Sequence, residues 1–369
     1  MTSSFPNSIS NLKEFISKTD DDGYLQIYSY NYCENNSSND LKKCRGLIFN
    51  GDNLLFNSLG FTPEYNDSDK ETLSKEPVDK YTFFPSEEGT LLRVFYNNTK
   101  WYVSTHRKLD AFNSRWGSQK SFGEIFVDSL KTLRYESLDQ LTTLLDKNFM
   151  YLFFIRNTLQ NKIVSNPPNT NKNLVYFVGH IDSSGIYLCN KDHMLFDFPT
   201  QQPLLFENWE QVFEYVRNVN PREGQGVLAF YKDQKGDFSQ FKIVNSSYKL
   251  MSQVRGNEPN LSLRYLQVRS HPIYSKMIYE LYPEHVNFFI QIENIIIKIA
   301  KNIHNSYVSR FVNKNYTVVS QEEYVIIKEC HGWHILDRKN NKVTLSQVIN
   351  YLSKEQYVHI LYTLVTRFK

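Results

Sequence analysis

The spacing of apolar residues along the chain changes once, near Ser247. Before that point they occur in short runs that alternate with polar residues or fill a few consecutive positions, the signature of strands. Residues 81–85, 91–96 and 100–105 are predicted strands, the last two joined by Asn97-Asn98-Thr99. Upstream, "CRGLIFNGDNLLFNSLG" predicts a hairpin closed by Asn50-Gly51-Asp52, a strong turn signal. The runs "MYLFFIRN", "KIVS", "LVYFVGHID" and "GIYLCN" extend the β pattern from residue 150 to 190, and "GQGVLAFYKDQKGDFSQFKIVNS" predicts a second hairpin with Gly236 in its turn. Helices are expected over 11–19, 121–147 and 207–217.

After Ser247 the period becomes helical. Residues 283–312 repeat apolar positions every three to four residues with Pro283 near the start, and "TLSQVINYLS" and "EQYVHILYTLVTRF" continue that repeat. The expected architecture is α+β: a mostly antiparallel domain over residues 1–250, then a smaller all-helical domain over 251–369.

A chain of 369 residues is long enough for two cores. Its net charge of +3 and pI near 8.4 permit a nucleic-acid partner without arguing for one. The four cysteines form no C-x-x-C pair, which points away from a zinc site or a disulfide framework and towards a reducing compartment. "ECHGWHILDRK" places Cys330, His331 and His334 close together, but C-H-x-x-H is not a zinc spacing; the segment is read as a packed turn anchored by Trp333, with no metal. No apolar run is long enough to span a membrane, so an intracellular, cytoplasmic protein is expected. Heavy use of Asn, Lys, Ile, Tyr and Phe suggests an AT-rich genome such as those of some large DNA viruses, which would put the protein in host cytoplasm or virion.

The order "CRGLIF", "EEGTLLRVF", "STHRK", "NKIV", "GQGVLAF", "QFKIV" resembles that of bacteriophage-type RNA ligases, members of the covalent nucleotidyltransferase superfamily with DNA ligases and mRNA capping enzymes. The resemblance covers residues 40 to 250 and implies an antiparallel-sheet nucleotidyltransferase (ATP-grasp-like ligase) domain. In that family K-x-D-G supplies a lysine that attacks the α-phosphate of ATP. Here the matching tetrapeptide is Ser86-Glu87-Glu88-Gly89, so the amine is missing. The later strand offers Phe154 or Ile155 in place of a glutamate. The E-G motif matches Gln225-Gly226, although sliding the match by two residues would use Glu223-Gly224. K-x-K matches Lys242-Ile243-Val244.

The resemblance therefore implies a degenerate, RNA-ligase-like protein that binds RNA or a nucleotide without covalent catalysis. Its expected nucleotide-binding residues are Arg45, Glu88, Gly89, Gln225 and Lys242. His106, Arg107, Lys108, Arg115 and Trp116, with Lys249 and Arg255 beyond the last motif strand, form the expected RNA track: cations for phosphates and an aromatic for stacking. Two alternatives stay open. One is an active ATP- and Mg²⁺-dependent ligase or capping-type transferase with Lys80 or Lys108 as a displaced nucleophile. The other is a scaffold for a viral or host protein partner.

Overall fold

The computed structural model describes residues 5–56, 59–158, 160–165, 175–182, 185–188, 195–232 and 238–368. The chain divides into two compact units, Met1–Leu250 and Met251–Lys369. It is an α+β protein whose sheets lie in the first unit and whose second unit is helical. None of the described helices is long and apolar enough to cross a membrane.

The strands in chain order are β1 (Ile16–Asp21), β2 (Gln26–Tyr30), β3 (Arg45–Asn50), β4 (Asn53–Phe56), β5 (Glu64–Tyr65), β6 (Thr82–Ser86), β7 (Gly89–Asn97), β8 (Lys100–Ser104), β9 (Met150–Arg156), β10 (Val175–Ile181), β11 (Ile186–Leu188), β12 (Gly226–Lys232) and β13 (Phe238–Val244). They form three sheets. A meander β1-β2-β3-β4 comes first, followed by a five-stranded sheet β11-β10-β9-β7-β8 and a four-stranded sheet β5-β13-β12-β6. All pairings are antiparallel except β13 with β5. The β7–β8 hairpin closes through Asn98 and Thr99 at φ of 44° and 75°. Two successive positive φ values twist a two-residue turn to match its strands.

Helices of this unit are α1 (Asn39–Lys43), α2 (Lys70–Leu73), α3 (Phe122–Thr132), α4 (Leu138–Thr142) and α5 (Trp209–Asn218). α3 opens on a capping box in which Ser121 and Glu124 satisfy each other's amides, and its buried Ile125, Phe126 and Leu130 pack on Leu92, Phe153 and Phe177 of the five-stranded sheet. α5 lays Val212, Phe213 and Val216 on Val227, Phe241 and Ile243 of the four-stranded sheet. Between those two sheets, Phe84 and Phe230 meet Leu152 and Phe95 in a further apolar cluster.

Several expectations are corrected. Residues 11–19 are not a helix: a 3-10 turn covers Asn7–Leu12, and Ile16–Asp21 is strand β1. The helix expected over 121–147 is two helices, broken where Arg134 takes φ of 68°. Lys162–Ser165 is a loop rather than a strand. Cys189-Asn190 and the Gly236 turn lie outside the described residues.

The second unit holds the end of α6 (Ser246–Arg255), then α7 (Leu261–Val268), α8 (Pro272–Leu281), α9 (Val286–Tyr307), α10 (Gln321–Leu336), α11 (Leu345–Leu352) and α12 (Val358–Arg367). The segment read as a turn at 329–339 is mostly the last part of α10. There Cys330 is buried, the His331 ring stacks on Phe311 at 3.8 Å, and His334 Nδ1 lies 2.6 Å from the Asn341 carbonyl. Between α7 and α9 a forked pair joins Arg269 to Glu293, with both bonds at 2.7 Å. Arg269 also donates to Ser353 Oγ, and Tyr265 donates to the same carboxylate.

Burial raises the Glu293 pKa, but the Arg269 bond and charge outweigh it and hold the carboxyl below its ordinary value. Because the folded value is the lower one, the pair's stabilisation is full above the ordinary glutamate range and is lost as pH falls from that range through the lower folded value. Glu293→Gln should lower unfolding free energy at pH 7 by about 2 kcal/mol, between the values of surface and fully buried pairs. Urea titrations at pH 7 and pH 3.5 should show the gap between wild type and variant narrowing in acid; a constant gap would remove the electrostatic account.

Candidate functional site

The tetrapeptide Ser86-Glu87-Glu88-Gly89 is the corner at which the chain leaves one sheet for another: Ser86 ends β6 and Gly89 begins β7. A cavity of about 180 Å³ opens beside this corner between the two sheets. Phe84 and Phe230 form part of one wall, Phe154 and Tyr176 part of the other, and the polar lining comes from Arg45, Thr62, Ser86, Glu87, Gln201, Gln225, Gln240 and Lys242.

The corner is held by a chain of hydrogen bonds. Gln225 Oε1 accepts from Ser86 Oγ at 3.0 Å and from Lys242 Nζ at 2.8 Å. Gln225 Nε2 donates to the Tyr248 hydroxyl at 3.1 Å, which donates to Glu88 Oε1 at 2.9 Å. The Glu88 carboxylate also accepts three consecutive backbone amides, from Ile163 at 2.8 Å, Val164 at 2.6 Å and Ser165 at 2.8 Å. Ser86, Glu88, Gln225 and Tyr248 are all buried. Burial lowers the Lys242 pKa despite the pull of Glu64, and burial with Glu88 raises that of Tyr248, which keeps the phenol a donor.

Close packing fixes the walls. A Cβ on Gly89 would lie 2.2 Å from the Ile155 carbonyl oxygen and 2.4 Å from the Phe154 ring, so only glycine lets β7 pass β9 here. Glu87 pairs with Arg156 at 2.8 Å, and Arg156 Nη1 donates to the Tyr176 hydroxyl at 3.3 Å. Beside the cavity, the buried Arg93 guanidinium donates to the carbonyls of Gly46 and Thr105 and to Ser104 Oγ. Burial and the neighbouring Arg45 pull its pKa down to about 9, so it stays charged at neutral pH. Gly46, at φ of 72°, faces the His106 carbonyl, which a Cβ would approach to 2.7 Å.

Of the residues singled out in the sequence, Arg45, Ser86, Gly89, Gln225 and Lys242 line one cavity. Glu88 does not face it; its carboxylate is taken up by the loop at 163–165 and by Tyr248. Glu223 is exposed, with its carboxylate accepting from Asn220, so Gln225 is the side chain in the wall. Val244 is not in the lining, and Gln240 stands beside Lys242 instead. Lys80 pairs with Glu76 at 2.9 Å and Lys108 with Asp20 at 3.3 Å, and neither lines the cavity.

The expected RNA track is only partly available. Arg107 and Arg115 are exposed, and Trp116 and Lys249 are half-buried. His106 is pushed down to about 3 by burial and by Arg45, Arg93 and Arg107, so it is neutral at physiological pH and adds no cation. Arg255 is a correction: it is 2% exposed and donates to the carbonyls of Glu258 and Pro259, bracing the turn that follows α6. Tyr248, Gln240, Arg93 and Arg156 are site residues that the sequence reading missed. For Gln240 a signal existed, since residues two apart on a strand share a face.

No protein-family model matches the chain. It is similar to an immediate-early protein ICP-46 homolog of Invertebrate iridescent virus 6, at 27% identity over 78% of this chain and 67% of the relative. A second ICP-46 homolog, from Invertebrate iridescent virus 3, is 29% identical over 75% of this chain and 62% of the relative. The ICP-46 protein of Frog virus 3 is 22% identical over 61% and 58%. The chain thus spans about two thirds of these relatives or less. Among solved structures, a candidate ATP-dependent DNA ligase from Aquifex aeolicus aligns with a TM-score of 0.40 at 11% identity, over 75% of this chain and 70% of that one. An archaeal ATP-dependent RNA ligase aligns with a TM-score of 0.38 at 10% identity, over 76% and 74%.

The corner network should be measurable as stability. Tyr248→Phe removes one bond to a charged acceptor and leaves Gln225 Nε2 without a partner, a loss of about 2 kcal/mol. Glu88→Gln replaces an ion that accepts three amides with a neutral amide and should cost about 3 kcal/mol. Urea unfolding of the two variants tests both values, and a Glu88→Gln variant as stable as wild type would show that the carboxylate is not the anchor.

Proposed function

We propose that the first unit binds a nucleotide, free or at the end of an RNA, noncovalently in the cavity between its two sheets. The observation that carries this reading is the lining itself: two basic side chains, Arg45 and Lys242, with aromatic side chains from both sheets, in one cavity whose single carboxylate, Glu87, is paired with Arg156. Cations suit phosphate and aromatic faces suit a base. At about 180 Å³ the cavity is smaller than the roughly 300–1,000 Å³ typical of drug-sized ligands, which favours a single base-sized group over a whole triphosphate.

The side chains around the corner favour binding over covalent transfer. Ser86 Oγ donates to an amide oxygen, which cannot take up its proton as a general base would. The nearby carboxylates are already committed, Glu87 to Arg156 and Glu88 to backbone amides. Lys80 and Lys108 are ion-paired away from the cavity. Exposed Arg107 and Arg115 would carry the flanking phosphates of an RNA, inside an infected cell if the chain shares the viral setting of its relatives.

Isothermal titration of the full chain with nucleoside monophosphates and with a short single-stranded RNA tests this reading. Arg45→Ala and Lys242→Met should each weaken binding about ten- to a hundredfold, the cost of a charge-assisted contact, whereas Lys80→Ala should leave it unchanged. RNA affinity should fall steeply with added salt. Incubation with α-labelled ATP or GTP and Mg²⁺ should leave no label on the denatured protein. Unchanged affinity in both cavity variants would reject the site, and a stable adduct, on Lys242 above all, would reject the noncovalent reading.

A further inference from the structure

Two glutamines in the cavity lining have their amide orientation fixed by groups that can only accept. Gln240 Nε2 donates to the Gly60 carbonyl at 2.8 Å and lies 3.3 Å from Thr62 Oγ1. Gln201 Nε2 donates to the Pro85 carbonyl at 3.3 Å. A carbonyl oxygen has no proton to give, so the atom facing it must be the NH₂ group, and the other end of each amide is the oxygen. Neither Oε1 accepts a hydrogen bond from any described residue. Gln240 is only 6% exposed, and Gln240 and Gln201 both line the cavity. A nearly buried acceptor without a protein donor has its lone pairs left for whatever enters.

The third lining glutamine behaves differently. Gln225 Oε1 already accepts from Ser86 and Lys242, so it has no comparable capacity. Gln240 and Gln201 therefore add two acceptors to the face left to a base, beside the Thr62 and Tyr176 hydroxyls, which accept from Gln240 and Arg156. From this geometry we infer that the cavity selects a nucleobase bearing an exocyclic amino group, with Gln240 and Gln201 as the residues that set that preference. The inference rests on the nucleotide reading above and adds the class of base. A base without the amine gives up that bond to the Gln240 acceptor.

The test compares bases that differ at the amine. Binding of GMP is measured against IMP, which lacks the 2-amino group, and AMP against purine riboside monophosphate, which lacks the 6-amino group. In at least one pair the amino-bearing member should bind about five- to tenfold more tightly, the factor for one neutral hydrogen bond. Gln240→Leu should bring the two members of that pair to within about twofold of each other, whatever its effect on absolute affinity. Gln201→Leu is the second variant, and a thermal melt on each confirms that it folds. Equal binding within both pairs, with binding itself intact, would overturn the base preference and leave the nucleotide reading standing. Absence of binding by all four nucleotides would overturn both.

Discussion

The Glu88 carboxylate is the contact on which the corner depends. It is 4% exposed, and among the described residues its hydrogen-bond partners are the three amides of residues 163–165 and the Tyr248 phenol, with no cation among them. A buried carboxylate is tolerated when enough donors replace water, and aligned amides do so without adding a second ion to desolvate. In return the carboxylate fixes three things at once: the path of the 163–165 loop, the start of α6 through Tyr248, and the turn from β6 into β7. The cavity sits against that turn, so the shape of its wall follows from a group that does not face it.

The polar lining is organised around one shared oxygen. Gln225 Oε1 holds Ser86 and Lys242 together, and because it is a neutral amide it does not cancel the lysine's charge. A carboxylate at that position would form an ion pair with Lys242. As an amide, Gln225 adds no negative charge beside Lys242 and Arg45, so an anionic group entering this partly desolvated space meets no competitor at that position.

Local pattern made much of the architecture legible. Strands β6 to β8, the hairpin at Gly51, the helix at 209–218 and the change to helices after Ser247 all follow from periodicity and turn residues. The errors have physical causes. Ile163-Val164 has the composition of a strand, but its amides go to a carboxylate 75 and 76 residues earlier in the chain, a partner that no local pattern reveals. β1 is not legible as a strand because "ISKTDD" places few apolar residues in the alternation of a strand. The 329–339 segment, read as a turn anchored by Trp333, contains Gly332, yet one glycine costs a helix only about 1 kcal/mol, which α10 absorbs. At the site, the motif letters located Ser86, Gln225 and Lys242, whereas Gln240 and Tyr248 act through contacts across strands and between distant segments.

The four-stranded sheet has a consequence for the timing of synthesis. β6 pairs with β12, and Ser86 meets its hydrogen-bond partner 139 residues further along the chain. Tyr248, which closes the network on Glu88, comes 160 residues after it. At roughly 5–20 residues per second, a ribosome needs on the order of ten to thirty seconds to bridge that gap. During that interval the β6 edge, with Phe83 and Phe84, has no strand to pair with, and the nascent chain must be kept from pairing with others until the distal strands emerge.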